Sequence, residues 1–162
     1  MSEQLVVVGV DGSPASYTAL RWTLAHAGRT GAQVCAVRCW TPVLAKGWEA
    51  AVTAQPVPSI AEQQARAERE LAQVVAAALA RVPTHPTQVQ QRTVRGPTGP
   101  GLVAEAAGAD LLVVGHGHRS LEMLHRSVTW YCVVHATCPV LVIPPTWATR
   151  RTLTSAIAEV FA

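Results

Sequence analysis

Apolar residues in this chain come in short, dense runs separated by polar joints that carry glycine or proline. The stretches 4–10 (QLVVVGV), 32–40 (AQVCAVRCW), 110–115 (DLLVVG) and 138–145 (CPVLVIPP) are nearly continuous and rich in β-branched side chains. A run of that length without alternation fits a strand buried on both faces, as in a parallel sheet. The stretch 87–96 (TQVQQRTVRG) alternates and is more polar, as an edge strand would be.

Between these runs the period changes to that of a helix. After the first strand, Ser13 is a suitable N-cap and Pro14 a suitable first helical residue, because its missing N–H would have had no partner there. Tyr17, Leu20, Leu24 and Ala27 then recur on one face, and the helix is expected to stop at Gly28 or Gly31. Residues 41–58 show no period and read as a long loop. The spacing predicts the longest helix over 59–82, with Leu71, Val74, Ala78 and Val82 on its apolar face. Shorter helices are expected near Pro100 to Ala107 and over 127–137, with Ser127 near the cap of the second. In the last stretch, 146–162, Leu153, Ile157 and Val160 or Phe161 share a helical spacing. They predict an amphipathic extension that packs on this subunit or a neighbour, beyond a domain spanning 1–145.

The resulting order is βαβαβαβαβ. It implies an α/β domain: a doubly wound parallel sheet with helices on both faces and right-handed crossovers. Ligands of such sheets bind at the carboxyl ends of strands where the winding reverses. Two joints qualify, "GVDGS" after the first strand and "VVGHGH" after the fourth.

Composition narrows the partners. A chain of 162 residues suits one domain, and only 14% of them are charged, against about a quarter in an average soluble domain. That poverty of charge favours a homo-oligomer. The net charge of +3 is mild, and no basic run exceeds Arg150–Arg151. Nucleic acid therefore finds no electrostatic footprint. No apolar run approaches the roughly 18 residues of a membrane span, and the first residues do not resemble a signal peptide. A cytoplasmic protein with neither nucleic acid nor membrane as partner is expected.

Other chemistries leave weak traces. Cys35, Cys39, Cys132 and Cys138 lack C-x-x-C spacing and read as small buried hydrophobes in a reducing compartment. His116, His118 and His125, with Glu122 nearby, invite a metal, but loop histidines are usually solvated and no metal is expected. Asp11 and Ser13 lie close together without a nucleophile elbow, and Lys46, the chain's only lysine, belongs to no P-loop. Ser13 then reads as a cap, and Asp11 as a ligand contact or a support for its loop. An enzyme is not expected, though weak ATP hydrolysis stays open. Trp48 in the long loop is a candidate to line a nucleobase cleft.

Three segments carry a resemblance: "VVVGVDGSPAS…AL.W" at the start, "VRG.T…L…A…ADLLVVG" in the middle and "SVTWYCVVHATCPVLVIP" at the end. In that order and spacing, over about residues 4–144, they resemble the universal stress protein family. The resemblance implies a five-stranded parallel sheet in the order 3-2-1-4-5, of the adenine nucleotide alpha hydrolase-like kind, with the winding reversal between the first and fourth strands. It also implies a homodimer through the last strand (139–145). Many members bind ATP, some hydrolyse it slowly, and others bind no nucleotide. In ATP-binding members the fourth strand is followed by G-x-x-G, nine residues, and then G-S or G-T. Glycines there admit backbone N–H groups to phosphate, and the closing residue opens a helix whose N-terminus favours anions.

Carried across, the resemblance places Gly9, Val10 and Asp11 at the adenosine end, with Val37 on the second strand near the base. Val114 and Gly115 match the end of the fourth strand. His118 then stands at the second glycine with Gly117 beside it, only seven residues follow, and Arg126 occupies the third glycine position before Ser127 and Val128. The loop is thus shortened and poor in glycine, while His118, Arg119, His125 and Arg126 offer positive or protonatable groups instead. Two functions follow. The first is a dimeric sensor module holding ATP, ADP or AMP at the reversal point, with Mg2+ only if ATP binds. The second is a nucleotide-free interaction protein working through its dimer surface and C-terminal extension.

Overall fold

The computed structural model describes residues 4–44, 57–86, 88–116 and 127–144. Among the described residues five strands, β1 (Leu5–Gly9), β2 (Gln33–Trp40), β3 (Val89–Arg95), β4 (Leu111–Gly115) and β5 (Val140–Ile143), alternate with four helices. These are α1 (Pro14–Thr30), α2 (Ile60–Leu79), α3 (Thr98–Glu105) and α4 (Val128–His135). Every pairing is parallel and the order is β3-β2-β1-β4-β5. The expected sheet, its order and its polar edge strand are therefore present. The Trp48 loop and the extension from 146 onward lie outside the described residues.

The continuous apolar runs are explained by two cores. Val6 and Val8 of β1, Val34 and Ala36 of β2 and Val113 of β4 pack under α1 and α2 with Leu20, Leu24, Leu71 and Val75. Their neighbours of opposite parity, Val7, Cys35, Val37, Leu112 and Val114, pack on the other face with Leu102 and Cys132. A strand with a core on each side has no position left for a polar residue. The edge strand β3, by contrast, exposes Gln90, Gln91 and Arg92.

Helix boundaries differ from the expectation in instructive ways. α2 ends at Leu79 rather than at 82; its buried line is Ala67, Leu71, Val75 and Ala78, and Val74 is only half-buried. Val82 is buried from the turn that follows the helix. The start of α2 is a capping box, in which Ser59 Oγ accepts from Glu62 N–H and Glu62 Oε2 accepts from Ser59 N–H. Just inside it, Gln63 holds both ends of the long connection. Its amide accepts from Val43 N–H at 2.8 Å and donates to the carbonyls of Val43 and Pro58 at 3.0 and 2.9 Å. α3 begins at Thr98, so Pro100 sits in its first turn, where N–H groups have no intrahelical partner anyway. Among the described residues no helix is long and apolar enough to cross a membrane.

Of the two stop signals in α1, Gly31 is the real one: it adopts a left-handed conformation (φ 76°) and its N–H returns to Ala27 O. Gly28 lies inside the helix for a different reason. A Cβ there would stand 2.3 Å from the backbone oxygen of Thr84, so the 84–85 segment crosses α1 where only hydrogen fits. Gly28→Ala should therefore lower unfolding free energy by about 2 kcal/mol in urea titrations, because backbone overpacking outweighs the roughly 1 kcal/mol that alanine gains in a helix. An unchanged or raised midpoint would refute that contact.

Candidate functional site

The loop that follows β1 is built by its own polar side chains. Val10 N–H still donates to Val37 O at 2.8 Å, and the chain then turns through Gly12 at φ 85°. Asp11 Oδ1 accepts from Ser13 N–H at 2.8 Å. Ser13 Oγ accepts from Ser16 N–H and caps α1, while Ser16 Oγ accepts from Asp11 N–H and donates to Ser13 O. Asp11 therefore supports this loop as well as facing the cleft. Beneath Gly12 runs Arg38, held from α2 by an ion pair with Glu70, which also pairs with Arg66.

The other wall comes from β4. His116 N–H donates to Ile143 O at 2.7 Å, and Thr129 Oγ1 donates back to Gly115 O at 3.2 Å, fixing the first turn of α4 against the strand end. Ser127 is the N-cap of α4 by backbone position, but its side chain makes no cap hydrogen bond. A Cβ on Gly115 would lie 2.5 Å from the backbone carbon of Ala15. The missing side chain thus lets the first turn of α1 sit on the end of β4. That is a packing demand, separate from any approach of phosphate.

Between these walls lies one cavity of about 410 Å³, within the usual range for small-molecule sites. Gly9, Val10, Asp11, Val37, Val114, Gly115, Ser127 and Val128 all line it. The eight described residues that the resemblance assigns to nucleotide are thus brought to one place, though they range in sequence from 9 to 128. Gly117, His118 and Arg126 lie outside the described residues, as do His125 and Glu122. His116 is exposed and does not line the cavity. Among the described residues no group of His, Cys, Asp or Glu could hold a metal.

Six lining residues were not singled out for the cleft: Ser13, Ser16, Cys39, Thr98, Leu102 and Thr129. Cys39 was legible, since it lies two residues beyond Val37 on the same face of β2. Thr98 and Leu102 come from α3, whose approach to the cleft no local pattern announces. The Cys39 thiol is pushed up to about 11, by burial first and then by the charge of Glu105, and its sulfur lies 3.7 Å from Thr98 O. Cys132 below it is raised to about 11 by burial and by Cys39. Both stay protonated at neutral pH, so the cleft contains no thiolate nucleophile among the described residues.

The sequence model of the universal stress protein family matches residues 4–144. A universal stress protein of Mycolicibacterium smegmatis is 32% identical over 147 residues, covering 86% of this chain and 45% of the relative. One of Mycobacterium tuberculosis is 34% identical over 139 residues, covering 85% and 44%. The chain thus spans about half the length of the curated relatives it matches. Among solved structures, the universal stress protein UspA from Lactobacillus plantarum superposes with a TM-score of 0.61 at 25% identity, over 88% of this chain and 99% of that one. A universal stress protein in complex with cAMP gives 0.62 at 24%, over 90% and 100%. A family protein from Arabidopsis thaliana with AMP bound gives 0.56 at 19%, over 87% and 91%.

The Asp11 carboxyl is the one charged side chain among the described cavity residues. Burial pushes it up, and hydrogen bonds from Ser13 and Ser16 outweigh burial and hold it below its ordinary value of 3.8. A lowered folded value means that Asp11 stabilises the native state fully above pH 3.8 and stops doing so as pH falls through the folded value. Asp11→Asn should flatten the acid limb of the stability–pH curve below about pH 4 and leave its slope between pH 6 and 8 unchanged. An identical acid limb in both proteins would show that the Asx-turn carboxylate contributes nothing.

Proposed function

The chain belongs to the universal stress protein family, and from that premise we propose that its cleft at the ends of β1 and β4 holds an adenine nucleotide. The single observation that carries this reading is the convergence of β1, β2, β4 and the start of α4 on one cavity at the winding reversal. Its walls suit the two ends of such a ligand. Val10, Val37, Leu102 and Val114 offer apolar surface to a flat base. Asp11 offers an acceptor for ribose hydroxyls. The first turn of α4, with the free Ser127 hydroxyl, offers donors and a favourable dipole to phosphate. cAMP and AMP in two solved proteins of this fold are ligands of that chemistry.

In this reading the chain is a cytoplasmic regulatory module that responds to nucleotide, and Mg2+ accompanies the ligand only when that ligand is ATP. Catalysis is no part of it. The second reading, a nucleotide-free interaction protein, gains support from the shortened loop after Gly115, which holds histidine and arginine where ATP-binding relatives resembling this sequence hold glycine.

Calorimetric titration of the nucleotide-stripped protein with ATP, ADP and AMP separates the two, alongside mass spectrometry of what co-purifies. The expected result is saturable micromolar binding, weakened about tenfold by Asp11→Ala, a loss near 1.4 kcal/mol. Absence of both titration heat and co-purifying nucleotide would make the interaction protein the better reading.

A homodimer through β5 is part of the same proposal. β5 is an edge strand, yet Val140, Leu141 and Val142 give it none of the polar protection that β3 carries. Ile143 O receives His116 N–H and Pro139 O receives Leu112 N–H, so residues 139, 141 and 143 face β4. The N–H groups of Val140 and Val142 therefore point outward, free to pair with a second copy. Light scattering at micromolar concentration should give twice the 17.2 kDa chain mass. Val142→Pro, which removes an outward donor only, should give the monomer. A monomeric native chain would end the dimer proposal.

A further inference from the structure

α4 has one face that its own domain does not use. Cys132 is fully buried, Thr129 bonds Gly115 O, and Tyr131 packs on Gly99 and stacks on His135 with ring centroids 4.1 Å apart. The remaining arc carries Trp130, Val133 and Val134, which are 49%, 51% and 53% exposed. Positions i, i+3 and i+4 share one helical face, so these three make a continuous apolar stripe, while the exposed Val128 and His135 lie off it. Scattered apolar residues on a surface need no explanation, but a stripe at helical spacing has the form of a docking face for another helix.

We propose that the stripe is the docking site of this chain's own residues 150–162, with Leu153, Ile157 and Val160 or Phe161 against Trp130, Val133 and Val134. The first argument is where the chain leaves the sheet. Ile143, the last residue of β5, is the register partner of Gly115, and Gly115 O is the acceptor of Thr129 in the first turn of α4. The end of β5 and the first turn of the helix that carries the stripe are thus fastened to the same residue. The second argument is reach. Residues 145–152 can span up to about 26 Å when extended, whereas α4 is only about 12 Å long. The third is the match of pattern: the tail repeats apolar residues at 153, 157 and 160 or 161, with Arg150, Arg151 and Glu159 between or beside them. A tethered segment also meets its site at an effective concentration near the millimolar range, well above that of a separate partner at micromolar concentration. The outward N–H groups of β5 are left free by this contact, so it is independent of strand pairing between copies.

Two measurements on the full chain test the contact. In the doubly substituted chain Val134→Cys with Ile157→Cys, mild oxidation in dilute solution should form a 134–157 disulfide within one chain. It would be read as a monomer on a non-reducing gel and mapped by peptide mass spectrometry. The peptide map separates this bond from any through the native cysteines, of which Cys35 and Cys132 are buried and Cys39 and Cys138 half-buried. A covalent dimer joined through these positions overturns the proposal, because the occupant is then a second chain.

Amide exchange gives an independent readout. Residues 150–162 should exchange at least about tenfold more slowly than an unstructured segment, and Val133→Glu with Val134→Glu should abolish that protection while β1 and β4 keep theirs. Unprotected tail amides in the native chain overturn the proposal whatever the cross-link shows. Protection that survives the two glutamates overturns it as well.

Discussion

The arrangement depends most on the contact between the first turn of α1 and the end of β4. Gly115 has no room for a Cβ because the Ala15 carbonyl lies against it. That approach pulls the start of α1 over the boundary where the winding direction reverses, and it leaves the carboxyl ends of β1 and β4 side by side. Packing at native density leaves little tolerance at such a crossing. Asp11, Ser13 and Ser16 then use one another's hydrogen-bonding groups to hold the turn that makes the crossing possible. The cleft is the space left over when a strand end, a helix start and a capped loop are forced this close together.

The strands were legible because two cores act on them at once. Val6, Val7 and Val8 face alternate layers, so a central strand reads as an unbroken apolar run, and β3, with one polar side, reads as an edge. The cleft residues of the two strand ends were legible for the same reason: Gly9 to Asp11 and Val114 to Gly115 stand where apolar runs stop. On α2 the expected face holds at Leu71 and Ala78 and misses by one residue at Val74. Val74 and Val75 are equally apolar, and only the packing of Leu71 and Ala78 against the sheet shows which of them turns inward. Gly28 was ambiguous because a stop signal and a close crossing use the same residue type, and the crossing segment at 84–85 is more than fifty residues away. Thr98 and Leu102 were invisible because their role depends on where α3 lands, which is a property of the whole crossover.

Gln63 and Arg38 illustrate a layer that sequence patterns do not reach. Neither is apolar or part of a motif, yet one closes the ends of the long connection and the other ties α2 to the loop beneath Gly12. Side-chain hydrogen bonds over such separations are chosen by tertiary geometry alone; those of Gln63 are exposed to solvent, whereas the Arg38–Glu70 pair is part-buried and would leave its partners poorly satisfied if broken.

The two helix starts that meet at the cleft are chemically unlike. At α1 two of the N-terminal donors are already engaged: Ser16 N–H goes to Ser13 Oγ, and Asp11 takes Ser13 N–H, placing a negative charge at the helix's positive end. An anionic group approaching from solvent would find that end neutralised and the Asp11 carboxylate, kept ionised by its hydrogen bonds, repelling it. At α4 neither condition holds, since the Ser127 side chain makes no cap bond and no carboxylate lines that end among the described residues. In the proposed nucleotide reading this difference would orient a ligand with one hydroxyl-bearing part and one anionic part, hydroxyls toward Asp11 and anion toward α4. The asymmetry arises from ordinary helix capping, applied at one helix start and withheld at the other, and it gives the cleft a direction that the apolar walls alone could not supply.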